Sequence, residues 1–258
     1  EITLYFQNLL FYDMGGGTTD IALLEIGLEE LTGIVPVVDR TNNMGRYFVV
    51  RPRILGLTGR DNFAGDNVTL AVFRILKSKL ATKVANLLTS NPSNLKKPDR
   101  SPAVQQTLDA FVEFKTQHDQ QDTFFTRWFT AGNSKDYEKG VKEAINILIP
   151  TNFRNKPELQ PTFFEMWKEA ERIKQALSTV PPGYEQVGLP KSIAATGEKL
   201  LPAIKHLNLG FQEYELSDIQ VSAEEMERII LQEIKNTFEK ARNLCIGQGE
   251  KSQTPEMK

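Results

Sequence analysis

The sequence contains few of the residues that build disulfides or metal sites. Its 258 residues include one cysteine, Cys245, and two histidines, His118 and His206, which lie far apart. One cysteine excludes an intrachain disulfide and a cysteine-based zinc site, a usage typical of a reducing compartment. Each histidine is expected to be a surface or packing residue rather than a metal ligand, because no cysteine lies near it in the sequence.

An excess of charge of one sign is also missing, as is any long apolar run. The formal net charge is −2, the pI is about 5.9, and lysine and arginine are scattered along the chain. This distribution argues against nucleic acid or an anionic membrane as a partner held by bulk electrostatics. No apolar stretch approaches the length of a membrane span and no signal peptide is visible, so we expect a cytoplasmic protein without a membrane partner.

The first section of the chain has the pattern of β-strands joined by turns. Apolar runs at 9–12 and 21–26 flank three consecutive glycines, a spacing that predicts a β-hairpin. A further β-like run covers 47–57. The simplest structure for this section is a strand meander with one buried face.

The period of the apolar residues changes from two to that of a helix after residue 67. Helical spacing predicts amphipathic helices over 68–80 and 163–178. A third helix is predicted to begin at Ser222, whose hydroxyl and the Glu225 carboxylate have the spacing of a capping box. Gly247 is a plausible end for this helix.

Three weaker patterns complete the prediction of local structure. Short strands are expected at 192–195 and 211–219, and the polar stretch 89–100 is expected to be an exposed loop. Between 102 and 149 the helical segments carry an aromatic group that we expect to form a small core rather than a ligand cage. Its members are Phe111, Phe114, Phe124, Phe125, Trp128 and Phe129.

The most informative motif is the string Asp-Met-Gly-Gly-Gly-Thr-Thr-Asp at 13–20. Successive backbone N–H groups in a turn made by Gly15, Gly16 and Gly17 can form an anion nest suited to the terminal phosphates of a nucleotide. Thr18 adds a hydroxyl beside them.

Asp13 and Asp20 flank that loop, and both carboxylates can face its mouth. Mg²⁺ prefers oxygen ligands and retains several waters, so these two residues are candidates to orient a magnesium ion through water. The alternative is a flexible hairpin turn, which the two flanking acids make less favourable than nucleotide binding.

This string resembles the second phosphate motif of the superfamily that contains actin, the sugar kinases and the heat-shock chaperones. The segment 59–63, Gly-Arg-Asp-Asn-Phe, resembles the Gly-Gly-x-Asp-Phe segment that opens a helix in DnaK-type chaperones, with Arg60 in place of the second glycine. The segment 170–178 resembles the chaperone helix that holds the adenosine. The last strand and helix, 214–246, are similar to those that return to the nucleotide lobe.

Four polar residues of the second segment share a helix face independently of any resemblance. Glu171, Lys174, Gln175 and Ser178 lie at i, i+3, i+4 and i+7. They are candidate adenosine contacts, and the alternative is a solvated face with an ion pair. Gln175 stands where the family usually has an arginine that stacks on adenine, so weak stacking is expected.

The resemblance implies an α/β fold, an actin-like ATPase lobe with a mixed β-meander sheet and a helical, α+β outer subdomain. Residues 1–60 would be the β-rich part of the nucleotide lobe, and 61–246 the outer subdomain with its connecting helices. An insertion would occupy about 81–161, and 247–258 would be a disordered tail. The chain is expected to be the second half of a nucleotide-binding domain, a fragment of a larger protein.

The implied function is that of a chaperone ATPase which binds ATP or ADP with Mg²⁺. Asp13 and Asp20 would be catalytic by orienting magnesium-bound water, and client proteins or co-chaperones would be partners of the full-length parent. The fragment alone is expected to be inactive or nearly so. Two alternatives stay open: an actin-like ATPase that forms filaments, and a nucleotide-binding regulatory module without turnover, which the departures at Arg60 and Gln175 favour.

Overall fold

The chain forms a mixed α/β structure with a small antiparallel sheet and several helices. In this computed structural model the described residues are 4–30, 48–90, 101–117, 135–154, 156–178, 191–207 and 216–247. The strands are β1 (Leu4–Met14), β2 (Thr19–Glu30), β3 (Phe48–Arg60), β4 (Ser192–Ala194) and β5 (Gln220–Ser222). The helices are α1 (Gly65–Ser90), α2 (Pro102–Gln117), α3 (Lys135–Leu148), α4 (Gln160–Ser178), α5 (Gly197–Leu200) and α6 (Ala223–Cys245), with 3-10 helices at Pro157–Leu159 and Leu201–Leu207.

The chain divides into two compact units, 1–67 with 231–258 and 68–230. The first unit is a meander in which β1 pairs with β2 and β2 with β3, all antiparallel. A bulge interrupts the β2–β3 register after Leu23, where Gly56 and Ile54 face successive residues of β2. The predicted hairpin, third strand and meander order are therefore confirmed. The expected buried face is not continuous, since large apolar side chains of β1 and β3 such as Phe6, Phe11, Val50, Ile54 and Leu57 are exposed.

One face of this sheet packs against the C-terminal half of α6. Ile21, Ala241 and Leu244 form the buried cluster between them. Tyr12 adds a ring stacked on Phe238 at 5.6 Å. The Tyr12 hydroxyl and the hydroxyl of Thr237 on α6 are hydrogen-bonded at 2.7 Å. These contacts leave the residues of the opposite strand face, Asp13 and Asp20 among them, away from α6.

The second unit is built around α1, which is longer and more buried than the sequence indicates. The predicted helix over 68–80 is confirmed, but it continues to Ser90. Its side chains are buried on nearly all sides rather than along one stripe. The buried members include Val72, Phe73, Ile75, Leu76, Leu80, Ala81, Val84 and Leu88. A helix with apolar residues all round is buried rather than amphipathic.

The structure describes only some of the other segments for which a helix, strand or loop was predicted. The helix predicted over 163–178 is observed as α4, which starts three residues earlier, and the strand at 192–195 is observed as β4. The strand predicted at 211–219 is wrong where it is described, since 216–218 form a turn and β5 follows it. Residues 208–215, most of the loop at 89–100 and most of the aromatic group lie outside the described residues.

The start and end of α6 follow the predicted chemistry. The Glu225 N–H donates to Ser222 Oγ at 3.1 Å, and the Ser222 N–H donates to Glu225 Oε2 at 2.9 Å. This reciprocal pair is the capping box that the sequence predicts. Gly247, with a φ of 74°, adopts the left-handed conformation that ends a helix.

Candidate functional site

The glycine loop connects β1 to β2 in the first unit and exposes several backbone donors. Its residues 15–18 are all exposed. The Gly15 N–H donates to the Thr18 carbonyl at 2.9 Å, which closes the turn. Within the described part of the chain, the N–H groups of Gly16, Gly17 and Thr18 donate to no protein acceptor. Three consecutive backbone donors are thus open to a ligand.

The loop is held in place by the start of α1 rather than left free. The Gly65 N–H donates to the Gly15 carbonyl and the Asp66 N–H donates to the Gly16 carbonyl, each at 2.9 Å. On the outgoing strand, the fully buried Thr19 donates from Oγ1 to the Phe63 carbonyl at 2.5 Å. The carbonyls of Gly15, Gly16 and Thr18 are therefore hydrogen-bonded within the protein, which holds the loop shape before any ligand binds.

The fold itself does not require three glycines in this loop. None of Gly15, Gly16 and Gly17 has a positive φ, since Gly247 alone does so among the described glycines. A Cβ atom added at Gly17 would meet nothing within 4 Å, and one at Gly16 would come no closer than 3.8 Å to the Asp66 carboxylate. The absence of side chains here keeps the backbone accessible, which suits close approach by a ligand.

Two carboxylates stand opposite each other at the base of the loop. Asp13 and Asp20 are register partners on β1 and β2 and both are exposed. The Thr18 hydroxyl donates to Asp20 Oδ2 at 3.2 Å, while the Asp13 carboxylate contacts no donor among the described residues. Like charges directly opposite on a sheet destabilise it, so this pair suits a site that receives a cation.

The structure therefore brings together all the residues predicted for the phosphate end. The loop 15–18 connects the two strands, and Asp13 and Asp20 lie opposite each other where the strands meet it. In the described ranges, no group of three or more His, Cys, Asp or Glu side chains forms a metal site. A magnesium ion at Asp13 and Asp20 would accordingly complete its shell with waters and ligand oxygens, as this ion usually does.

The last two residues of β3, Gly59 and Arg60, pack beside the start of β2 and contact α6. A Cβ atom at Gly59 would lie 2.8 Å from the Thr19 carbonyl oxygen, so only glycine fits there. Lys240 of α6 donates to the Gly59 carbonyl at 2.9 Å. Arg60, which stands where the resembling chaperones have glycine, forms a 2.5 Å ion pair with Glu233 of α6, without a hydrogen bond of good geometry to that oxygen.

The second predicted group, on α4, lies in the second unit and is largely occupied by protein partners. The buried Thr69 of α1 donates from its hydroxyl to Glu171 Oε2. Lys174 Nζ lies 2.8 Å from the same Glu171 oxygen and donates to Thr69 Oγ1 at 2.9 Å. Burial acts to raise the pKa of Glu171, but the hydrogen bonds from Lys174 and Thr69 outweigh it and hold that pKa below its ordinary value.

The remaining two residues of this face are exposed. Gln175 Nε2 donates to Glu171 Oε1 at 3.1 Å, and the Ser178 hydroxyl donates to the Lys174 carbonyl of its own helix at 2.8 Å. The four side chains therefore share a face, as their spacing predicts. The ion pair of the alternative interpretation is also present, between Glu171 and Lys174.

Arg172, in the same segment, has a structural role. It donates to both oxygens of the buried Glu169 and to the Ala194 carbonyl of β4. Burial acts to raise the pKa of Glu169, but the hydrogen bonds from Arg172 and the Thr196 N–H outweigh it and lower that pKa. This bridge attaches β4 to α4.

The sequence patterns did not predict the roles of two polar residues of α1, Thr69 and Lys77. Thr69 has no local signal, because its partners on α4 are more than a hundred positions away. Lys77 does have one: Phe73, Leu80 and Val84 precede and follow it at i−4, i+3 and i+7. A lysine in such an apolar stripe predicts a buried cation, and its exposed fraction is 7 %.

Comparison with known proteins adds no assignment to this geometry. No protein-family model matches the chain, and no curated protein is significantly similar to it. Among the helices of the described residues, none combines the length and apolar character needed to cross a membrane.

Proposed function

We propose that the chain binds the phosphates of ATP or ADP through the loop 15–18, as part of an actin-like ATPase domain of the heat-shock-chaperone kind. The proposal rests on three consecutive open N–H groups, those of Gly16, Gly17 and Thr18, on a loop whose Gly15 and Gly16 carbonyls accept hydrogen bonds from the first residues of α1. Successive backbone donors of this kind bind anionic oxygens without reorganisation.

Magnesium fits the donors at the loop base. Asp13 and Asp20 would hold the ion through water, and the ion would neutralise charge on the phosphates. The chain's own residues would then act by position: the N–H groups orient the phosphate oxygens and the carboxylates orient the water shell. Positioning and charge neutralisation are the main contributions a protein makes to phosphoryl transfer.

For the adenosine end, the proposal rests on the resemblance of the segment 170–178. Gln175 and Ser178 are the exposed members of this face and would offer an amide and a hydroxyl to a ligand. Glu171 and Lys174 are engaged with Thr69, so a ligand would have to compete for their hydrogen bonds. Weak adenosine contact is the expected consequence.

A regulatory module without turnover is the second candidate. The observation that favours it is the ion pair between Arg60 and Glu233, which puts a bulky cation where the resembling chaperones have a glycine backbone. Such a module would keep the fold and the loop. It would bind nucleotide weakly or not at all.

Calorimetric titration of the chain with Mg·ADP tests the phosphate site. Gly17→Ala adds a methyl group into open space, so the fold is unchanged while the approach of a phosphate is obstructed. We expect binding in the high micromolar range, and about a tenfold loss in Gly17→Ala, equivalent to one lost charge-assisted hydrogen bond. Asp13→Asn should lower the affinity only when magnesium is present.

Gly140→Ala is the matched control, since Gly140 on α3 is exposed and an added Cβ also meets nothing within 4 Å. Its affinity should equal that of the wild type. Equal affinities in the wild type, Gly17→Ala and Asp13→Asn would contradict the phosphate site. Absence of binding at high micromolar nucleotide would favour the regulatory module, and a sharp rise in light scattering on adding ATP would favour the filament-forming alternative.

A further inference from the structure

A cavity of about 260 Å³ opens between α1 and α3 in the second unit. Its basic lining residues are Arg74 and Lys77 of α1 and Lys142 of α3. Its apolar wall consists of Leu70, Phe73 and Ile145. The volume approaches the lower end of small-molecule sites, roughly 300 Å³.

The charge of this cavity is of one sign. None of the described residues that line it is acidic, although the chain as a whole carries a formal net charge of −2. The three cations are therefore not a consequence of a basic protein. A concave surface with charges of one sign concentrates ligands of the opposite charge.

Lys77 is the central feature of the cavity. Its exposed fraction is 7 %, and its ammonium group donates to Asn146 Oδ1 of α3 and, at 2.8 Å, to Thr151 Oγ1. Both acceptors are neutral, and no carboxylate pairs with this lysine in the described part of the chain. Burial lowers the pKa of Lys77 to about 8, which reflects a cation whose desolvation no negative charge offsets.

A buried cation held only by neutral acceptors weakens a fold, and departures of this kind from favourable packing are expected at functional sites. An apolar residue would fit the helical stripe that contains Lys77 and would be more favourable for packing alone. The amide of Asn146 and the hydroxyl of Thr151 hold the ammonium group at the cavity rather than letting it extend to solvent. The site is thus built around a fixed positive charge.

We propose that this cavity binds a small organic anion, whose carboxylate or phosphate pairs with Lys77 and Arg74. The apolar part of the ligand would pack against Leu70, Phe73 and Ile145. Because α3 lies in the segment predicted as an insertion, binding in this cavity also gives that segment a function. The proposal is independent of the glycine loop, which belongs to the first unit, and no residue of the α4 face lines the cavity.

The test uses inorganic phosphate, phenyl phosphate and benzoate as probes, titrated into the whole chain and followed by calorimetry and ligand-detected NMR. We expect saturable binding of phenyl phosphate or benzoate, stronger than that of inorganic phosphate because the apolar wall contributes. Lys77→Met should weaken it about tenfold to a hundredfold, the effect of losing a charge-assisted hydrogen bond. Arg74→Gln, at an exposed position that leaves the fold unchanged, should weaken it less.

Lys168→Met is the control, because Lys168 is 71 % exposed on α4 and does not line the cavity. Its affinity should match the wild type, and circular dichroism should show all three variants folded. Unchanged binding in both Lys77→Met and Arg74→Gln would overturn the proposal. Absence of saturable binding by all three small anions would also overturn it. A glutamate-rich peptide is titrated as a fourth probe, and binding of that peptide alone would make the cavity a protein-docking surface instead.

Discussion

The glycine loop in the first unit differs in its hydrogen bonding from the α4 face in the second, which consists of Glu171, Lys174, Gln175 and Ser178. On the loop, the N–H groups of Gly16 and Gly17 and the carboxylate of Asp13 have no protein partner in the described residues. On α4, Glu171 and Lys174 are bound to each other and to Thr69. One region is open to a ligand, and the other is already satisfied by the protein.

This difference predicts how each region contributes to binding. A phosphate at the loop would replace only water on these exposed N–H groups and would break no hydrogen bond within the protein, so a preorganised turn would favour its binding. A ligand at α4 must exchange one set of hydrogen bonds for another, and such an exchange contributes little net free energy. If the chain binds nucleotide as proposed, we expect the phosphate contacts at the loop to contribute more to the affinity than any contact at α4.

The largest expected effect comes from distorting the loop at Gly59. Gly59→Ala would place a methyl group 2.8 Å from the backbone oxygen of Thr19, which cannot move without disturbing β2. We expect a loss of about 2 kcal/mol in the free energy of unfolding, typical of overpacking. Urea denaturation measures it, and nucleotide binding should fall at the same time.

Gly56→Ala is the matched control for this substitution. Its added methyl group would lie 2.6 Å from Leu244 Cδ1, the end of a buried side chain, which can shift at less cost than a backbone oxygen. We expect a loss below about 1 kcal/mol. A cost at Gly59 no greater than that at Gly56 would show that the strand beneath the loop is not rigid, and the contrast between an open, fixed loop and a satisfied helix would fail.

The features that were predicted correctly depend on the spacing of residues close together in the sequence. The capping box of Ser222 and Glu225, the stop at Gly247 and the hairpin around the glycines each depend on residues within a few positions of one another. The shared face of Glu171, Lys174, Gln175 and Ser178 follows from helix geometry in the same way. Their roles as ligand contacts stay predictions.

Contacts between distant segments could not be read from spacing. Thr69 and Glu171 are 102 positions apart, and Lys77 and Thr151 are 74 apart. Helical spacing indicates the ion pair between Glu171 and Lys174, but it does not indicate that Thr69 also occupies this face. The burial of α1 on nearly all sides was missed because a strong apolar stripe predicts a helix but not how many neighbours pack around it.

An intermediate effect is expected from Thr69→Val, which removes the hydroxyl shared by Glu171 and Lys174 while preserving the side-chain shape. Because a buried hydrogen bond to a charged group is lost, the free energy of unfolding should fall by about 1.5 kcal/mol at neutral pH. The lowered pKa of Glu171 means that its stabilising interactions are lost as pH falls through that pKa. The penalty should therefore shrink at acid pH.

Thr82→Val is the control on the same helix, since the Thr82 hydroxyl donates only to the Ser78 carbonyl one turn earlier. We expect its cost to be smaller and independent of acid pH. Thermal or urea unfolding of both variants at two pH values separates the cases. If Thr69→Val costs no more than Thr82→Val, the α4 face is not held by Thr69 and would be as open to ligands as the loop.

The smallest expected effect has the opposite sign. Asp13→Asn removes one of two like charges that face each other across β1 and β2. The free energy of unfolding should rise by a few tenths of a kcal/mol, the size of a cross-strand charge effect. Asp20→Asn should raise it less, because Asp20 also accepts a hydrogen bond from the Thr18 hydroxyl.

The free energy of unfolding and the Mg·ADP affinity of Asp13→Asn together distinguish a binding site from a structural turn. If the Asp13 carboxylate served only the fold, its removal would lower the free energy of unfolding, as removal of the Thr69 hydroxyl is expected to do. A carboxylate kept for a cation would leave the protein slightly more stable when replaced and less able to bind Mg·ADP. Loss of stability in Asp13→Asn without loss of Mg·ADP affinity would make the loop a structural turn, and the contrast with the α4 face would disappear.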